Sequence, residues 1–529
     1  MFTKAQLLTA TTVYRLGQPF KTPAVVIDTT KLSWEQVDNL PFPFSIAQDQ
    51  VHIRYALQPE DKVFGLGEQL GGLNRRGRQY RLYNTDEVFH VPEKLALYSS
   101  HPFIIIEGAT LLGLLIDYPG EIILDIDFTE RDVLMLTITA PHFDLYVFQP
   151  STTQKRLAQR HHLIQDYLRL VGAPYVPPKW AFGYQQCRWS YPDAETLNYI
   201  ATQLRQHDIP CDVLYMDIDY MENYKVFTVD AQKFPEFERF AAQLRQEGFK
   251  LVSIIDPGVK IEAGYSVYES GLAQQHFCLK ANGEPFVGAA WPGLVHYPDF
   301  LNTATQNWWG QLHQPLLQAG IEGIWNDMNE PSIFFTEEAL QQAIATVAAG
   351  TTIHNSWDYF ALRDRFCGLE HHPQYYQSFY QRDPQGQLIP HQAVHNLYGL
   401  NMAQATLKAF APNQRYFLLT RSSYIGSHRL AALWTGDNKS WWEHLLLNIK
   451  MLMSLNLCGF FYVGADIGGF GDHVSPELAI RWHQLGIFNP LFRNHSALGT
   501  RAQEPFAFDA QTCLAIKNSI DCRYALLPY

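Results

Sequence analysis

Positive charge, paired cysteines and long apolar runs are all scarce in this chain. Lys and Arg number 40 against 52 Asp and Glu, which leaves a net charge of −12 at pH 7. With no basic stripe to neutralise phosphates, nucleic-acid binding is not expected, nor is adhesion to anionic lipid. The seven cysteines (Cys187, Cys211, Cys278, Cys367, Cys458, Cys513 and Cys522) are scattered and form no CxxC pair or Cys/His ligand spacing. That pattern points away from structural zinc and toward reduced core thiols. No run of about 18 apolar residues could span a bilayer. The opening MFTKAQLLTATTVYRLGQ has neither an apolar h-region nor a small-residue cleavage site. These features predict a soluble cytoplasmic protein with no membrane partner.

What the chain does contain is apolar and aromatic: 47% hydrophobic and 14% aromatic residues, with 12 Trp and 28 Tyr. A length of 529 residues predicts two or three domains. Up to about residue 150, short alternating runs such as Val51–Ala56, Phe103–Glu107 and Leu134–Thr139 alternate with turn-rich pieces, the pattern of an antiparallel β-sandwich. Thr152–Val171 has helical spacing, and the proline-rich GAPYVPPK (172–179) marks a boundary. The predicted domains are therefore 1–172, a sandwich with a linker helix, and 173–529.

In the second domain the period changes to βαβα. Eight β-rich runs (AFGYQQ, DVLYMDID, KLVSIID, IEGIWND, RYFLLTR, AALWTGD, FFYVGAD and LFRNH) are separated by helix-like stretches at 194–207, 237–247, 405–410, 443–455 and 476–485. Eight such runs predict an α/β fold, a (β/α)₈ TIM barrel. A long insertion at 331–394 reads as a lid or subsite wall, and the chain ends within the last barrel helix. Seven of the runs end on ionisable side chains: Asp217 with Asp219, Asp256, Asp327, Arg421, Asp437, Asp466, and Arg493 with His495. Chemistry at the C-terminal ends of strands is the habit of barrels, whereas a doubly wound sheet does not predict it and no GxGxxG follows an early strand.

Within this set, GIWNDMNEP (323–331) and WTGDN (434–438) place one carboxylate each, Asp327 and Asp437, on the same mouth. Two carboxylates on one mouth are what glycoside hydrolysis needs: one ionised to attack the anomeric carbon, one protonated to release the leaving oxygen. Arg421 can supply the positive charge that keeps the first ionised, and Trp434 the apolar wall that raises the second.

The same residues resemble the nucleophile signature of glycoside hydrolase family 31 α-glucosidases. FGLGE (64–68), NTD (84–86), QCRW (186–189), MDIDYM (216–221), IDP (255–257), WPG (291–293), PDF (298–300), HNLY (395–398), TRS (420–422), GAD (464–466), GF (469–470) and RNH (493–495) follow in family order. The resemblance implies Asp327 as nucleophile and Asp437 as acid/base. Asp86, Asp217, Arg421, Asp466 and His495 would be polar sugar contacts, with Trp291, Trp325, Trp434 and Phe470 as an aromatic cage filled in by Ile218 and Met328. Asp256 and Asp466 are equally compatible with a role as structural anchors, and Glu330 reads as structural. Ile218 between two aspartates resembles the glucosidase rather than the xylosidase form. Implied too are a retaining double displacement with the carboxyls about 5–5.5 Å apart, an oligosaccharide substrate, no metal or organic cofactor, and β domains beyond the present C-terminus. The alternatives are a transglucosidase, an α-xylosidase, an α-glucan lyase, a silent carbohydrate-binding scaffold, and a metal-dependent barrel hydrolase.

Overall fold

The computed structural model describes residues 2–348, 355–383 and 385–529; residues 349–354 and 384 of the predicted insertion lie outside it. The N-terminal part forms a seven-stranded and a five-stranded antiparallel sheet packed face to face. Period-2 sequences build the inner faces: along Gln50–Ala56, Val51 and Ile53 are buried while Gln50 and Ala56 are exposed. The other face of the seven-stranded sheet is covered by the helix Arg156–Val171, with the Phe103 and Tyr167 rings stacked 3.8 Å apart. This second core continues into the barrel through Leu433, Leu455 and Val463.

The barrel strands are Tyr184–Gln186, Val213–Met216, Lys250–Ile255, Gly323–Asn326, Phe417–Thr420, Ala432–Trp434, Val463–Gly464 and Phe492–Asn494, all paired in parallel. The eighth pairs with the first, and a single parallel bridge, Ile467 to Asn494, links the seventh strand's exit to the eighth. Most of these strands read as continuous apolar runs because helices bury their outer face as side chains fill their inner one. The final helix spans Ala510–Leu526, capped by Asp509. Among the described residues no helix is long and apolar enough to cross a membrane.

One predicted helix is displaced. The stretch expected at 405–410 is a helix over Tyr398–Leu407, entered through a 3₁₀ turn at His395–Leu397. Tyr398 to Ala403 are all buried, so the segment has no polar face and no readable 3.6 period. The insertion is structured: helices Glu337–Ala348 and Ser356–Cys367 and a hairpin, Tyr380–Arg382 with Leu388–Pro390.

Sandwich and barrel also share a buried acid. Asp117 accepts from Thr22 Oγ1 at 2.7 and 2.8 Å and from the barrel's Tyr424 hydroxyl at 3.3 Å. Burial lifts its carboxyl to about 7, helped by nearby Asp144 and opposed by the Thr22 bond. An unfolded aspartate titrates near 3.9, so the folded state binds the extra proton, and stability is fully present below about pH 4 and lost as pH rises through 7. The term is worth roughly 4 kcal/mol at most. Asp117→Asn keeps an acceptor without an ionisable proton. Its melting temperature is expected to fall less than wild type's between pH 5 and 8, measured by thermal denaturation across that range.

Candidate active site

The fourth strand ends at Asn326, and the chain then turns sharply. Met328 takes up a left-handed conformation (φ 56°), which costs a non-glycine residue of order 1–3 kcal/mol. The turn aims the Met328 N–H at Asp327 Oδ1, 2.7 Å away, and leaves that carboxylate at the mouth. Below it, Asn326 and Asn329 are anchored by Thr406 and Thr420, and Glu330 is fully buried. The fifth strand delivers Arg421 and the sixth delivers Asp437 through Gly436.

The sandwich contributes the loop between its strands Arg78–Leu82 and Phe103–Glu107. It is closed by Thr85 N–H to Leu97 O (2.9 Å). Asn84 donates to Ser422 Oγ (2.7 Å), Ser99 Oγ to the Arg421 carbonyl (3.1 Å), and Ser100 N–H to Ser423 O (3.1 Å), all of which hold the loop on the fifth strand's exit. Asp86 is thereby carried onto the barrel mouth, where His371 of the insertion lies 3.6 Å from it.

These elements converge on one guanidinium. Arg421 lies 3.0 Å from Asp327, 2.9 Å from Glu330, 3.3 Å from Asp86 and 3.9 Å from Asp437, with only 2% of its own side chain exposed. One cation faces four buried carboxylates, and in a medium of low dielectric they cannot all be ionised. Burial and the sum of neighbouring charges act on each group differently. Burial raises Asp327, but Arg421 and the Met328 N–H oppose it. Burial also acts on Asp86, yet Arg421 and His371 outweigh it and the group ends below the usual carboxylate range. Burial raises Asp437 well above that range, with Arg421 opposing from the longest distance and Asp327 and Asp86 adding to the shift. Burial lifts Glu330 to about 7 against Arg421, which it grips with both oxygens. Both mouth carboxyls are thus raised by burial, Asp327 against the close opposition of Arg421 and the Met328 N–H, and Asp437 well above the usual carboxylate range.

Behind them lies an aromatic floor. Trp325 and Trp434 meet edge to face at 5.5 Å, and the Arg493 guanidinium sits over both rings at 4.7 and 4.9 Å, paired with Asp466 at 2.7 Å. Asp466 is thus the counter-ion of a floor cation, with one oxygen left without a protein partner. His495 packs edge-on against Trp325 at 5.3 Å and 4.9 Å from Phe470, 3.8 Å from Asp217, and burial keeps its ring neutral. Asp217 accepts from the Ile218 N–H at 2.7 Å, and burial raises its carboxyl strongly. Asp256 is buried, one oxygen unpartnered, its carboxyl raised by burial and by Asp327. At the rim Trp291, 36% exposed, meets Trp189 at 5.1 Å and Phe334 at 5.0 Å, while Trp189 lies parallel to Phe470 at 6.4 Å.

The structure therefore brings together Asp86, Asp327, Met328, Arg421 and Asp437 at one centre, and Asp217, Trp325, Trp434, Asp466 and His495 around its floor. Ile218 is buried beside Asp217. Trp291 and Phe470 form the rim. Several neighbours escaped the sequence reading. Tyr98 and His371 lie on loops with no motif to flag them; Trp189, named in the sequence only within QCRW, belongs to the aromatic rim. Cys187 joins Asp217 and His495 in a buried group whose donor atoms lie within 4.8 Å of one another, the one such metal-type cluster among the described residues.

A nearly closed parallel barrel behind a β-sandwich, with carboxylates from two strand ends and a sandwich loop gathered on one arginine, defines a barrel protein with a multi-carboxylate site at its strand C-termini. Comparison with known proteins carries this further. Residues 174–529 match the Glycosyl hydrolases family 31 TIM-barrel domain, and residues 21–125 the Glycosyl hydrolase 31 N-terminal galactose mutarotase-like domain. The chain is 38% identical over 474 residues to Alpha-glucosidase 2 of Bacillus thermoamyloliquefaciens, covering 89% of this chain and 55% of that protein. It is 29% identical to an Alpha-glucosidase of Saccharolobus solfataricus, covering 97% and 72%. Among solved structures, a Family 31 alpha-glucosidase from Bacteroides thetaiotaomicron superposes with a TM-score of 0.72 at 32% identity over 90% of this chain and 72% of that one. The chain belongs to glycosyl hydrolase family 31, and it spans about half the length of the Bacillus protein and of the Neutral alpha-glucosidases C and AB of Homo sapiens.

Proposed function

We propose that this protein removes terminal, non-reducing α-linked glucose from oligosaccharides, with net retention, by double displacement through Asp327. The observation that carries this reading is the unequal grip of Arg421, 3.0 Å from Asp327 and 3.9 Å from Asp437. The nearer carboxylate is held ready to attack the anomeric carbon. The farther one, kept protonated by burial, gives its proton to the departing oxygen as that bond breaks. A β-glucosyl–Asp327 ester results. Asp437, now ionised, draws a proton from water, which opens the ester from the other face and restores the α configuration.

Arg421 and the Met328 N–H stabilise the departing carboxylate in the second step. Asp217 and His495, side by side on the floor, fit the hydroxyls of a single sugar. Asp86 and His371 close one flank of the site, and a flank closed next to the reacting carbon favours removal of end units over cleavage within a chain. Relatives named α-glucosidase support glucose as the sugar. The seven free cysteines suit the reducing cytoplasm proposed for the chain.

Proton NMR of the glucose first released from p-nitrophenyl α-glucoside, whose aglycone is not a sugar, together with the products formed from maltose, tests the reading. α-Glucose appearing ahead of mutarotation is the expected outcome. β-Glucose would replace the double displacement by an inverting step, an unsaturated or anhydro sugar would make the protein a lyase, and glucosylated maltose in place of free glucose would make it a transglucosidase.

A further inference from the structure

The aim of the Asp437 carboxyl is set by its backbone. Among the described residues its cationic partner is Arg421, 3.9 Å away and beyond hydrogen-bond range. The turn that carries it passes through Gly436 at φ +63°, and what occupies the space a side chain would need there is the ring of Tyr98. A Cβ at 436 would come within 2.0–2.7 Å of the Tyr98 ring atoms Cε2, Cδ2 and Cζ. The phenol oxygen accepts the Asp437 backbone N–H at 3.3 Å, the Arg421 guanidinium lies over the ring 4.6 Å from its centroid, and His90 meets the ring edge-on at 5.8 Å. Tyr98 is fully buried. Its neighbours Leu97, Ser99 and Ser100 are the residues hydrogen-bonded within the sandwich loop and to the fifth strand's exit. Tyr98 is thus a rigid strut, fixed on Arg421's strand and braced against Asp437's.

We propose that Tyr98, a residue of the sandwich, is the positioning residue of the acid/base: its ring and hydroxyl hold the Gly436–Asp437 turn so that the Asp437 carboxyl faces the departing oxygen. This rests on the reading of Asp437 as proton donor. A general acid loses its advantage when misplaced by about 1 Å, because proton transfer requires hydrogen-bond contact in the transition state. The cost falls only on leaving groups that need the proton.

Tyr98→Phe keeps the ring against Gly436 and Arg421 and removes the hydroxyl; Gly436→Ala drives the ring from its seat. Each is assayed beside Asp437→Ala for kcat/KM on maltose, whose sugar oxygen must be protonated to leave, and on α-glucosyl fluoride, whose fluoride leaves with little help. The ratio of the two values does not depend on the fraction of folded protein. For Tyr98→Phe the maltose value is expected to fall about 10- to 100-fold while the fluoride value stays within about 3-fold. Gly436→Ala should show the same split, and Asp437→Ala a larger one. If Asp437→Ala slows both substrates alike, the assignment of Asp437 as acid fails. If Asp437→Ala splits them and the Tyr98 and Gly436 variants do not, Asp437 stands and the role of Tyr98 is overturned.

Discussion

Asp327→Ala is expected to lower kcat on maltose by about 10⁴-fold or more, since no covalent intermediate can form without the attacking oxygen. The fold should survive. Asp327 is a mouth residue whose contacts are Arg421 and its own turn, and Arg421 keeps Glu330 and Asp86 as partners. A near-normal melting temperature alongside the lost activity is therefore part of the expectation. Stereochemistry separates nucleophile from acid. With Asp327 shortened, azide fits the vacated space, attacks the anomeric carbon from that face and yields a β-glucosyl azide. With Asp437→Ala, azide instead opens the glucosyl–Asp327 ester from the opposite face and yields the α-azide. NMR of the azide product in the two variants reads the assignment directly, and an exchange of the two outcomes would exchange the roles.

The second large effect belongs to Arg421. Arg421→Ala leaves Glu330, fully buried and bonded to the guanidinium at 2.9 and 3.0 Å, and Asp86 at 3.3 Å without their cation. Removing one partner from a buried ionic cluster costs about 3–5 kcal/mol, and here four carboxylates share the loss. Thermal denaturation should show a large drop in melting temperature or no folded protein. Arg421→Lys keeps the charge but cannot hold Glu330 with two parallel bonds while touching Asp327. The variant is expected to fold, with weaker opposition to the burial that raises Asp327. Asp327 must be ionised to attack, so a higher pKa moves the acidic limb of kcat/KM to higher pH. A pH–rate profile checks this, and an unshifted limb would show that Arg421 does not set the nucleophile's ionisation.

Much of this was legible in the sequence because strand ends are local. Asp217, Asp327, Arg421, Asp437 and His495 each follow a short apolar run, and closing the runs into a barrel brings such residues to one mouth. Glu330 was readable as structural, though not which partner it has. The helix at Tyr398–Leu407 was harder to place because full burial removed its polar face. Tyr98 and His371 lay outside any motif. Their positions depend on how a sandwich loop and an insertion fold across the barrel, with partners more than 300 and about 285 residues apart in sequence for Tyr98–Asp437 and His371–Asp86.

Composition, period and the GIWNDMNEP and WTGDN segments by themselves determined a sandwich followed by a barrel and the two carboxylates that carry the proposed chemistry, because alternation and strand-terminal placement are properties of neighbours along the chain. Only the tertiary structure decided how the carboxylates of two strand ends, a buried turn and a sandwich loop gather on one guanidinium. Arg421 lies 3.0 Å from Asp327 and 3.9 Å from Asp437, and a sandwich tyrosine accepts the Asp437 backbone N–H. Burial and charge proximity sum over everything packed around a group, and no stretch of sequence contains that sum.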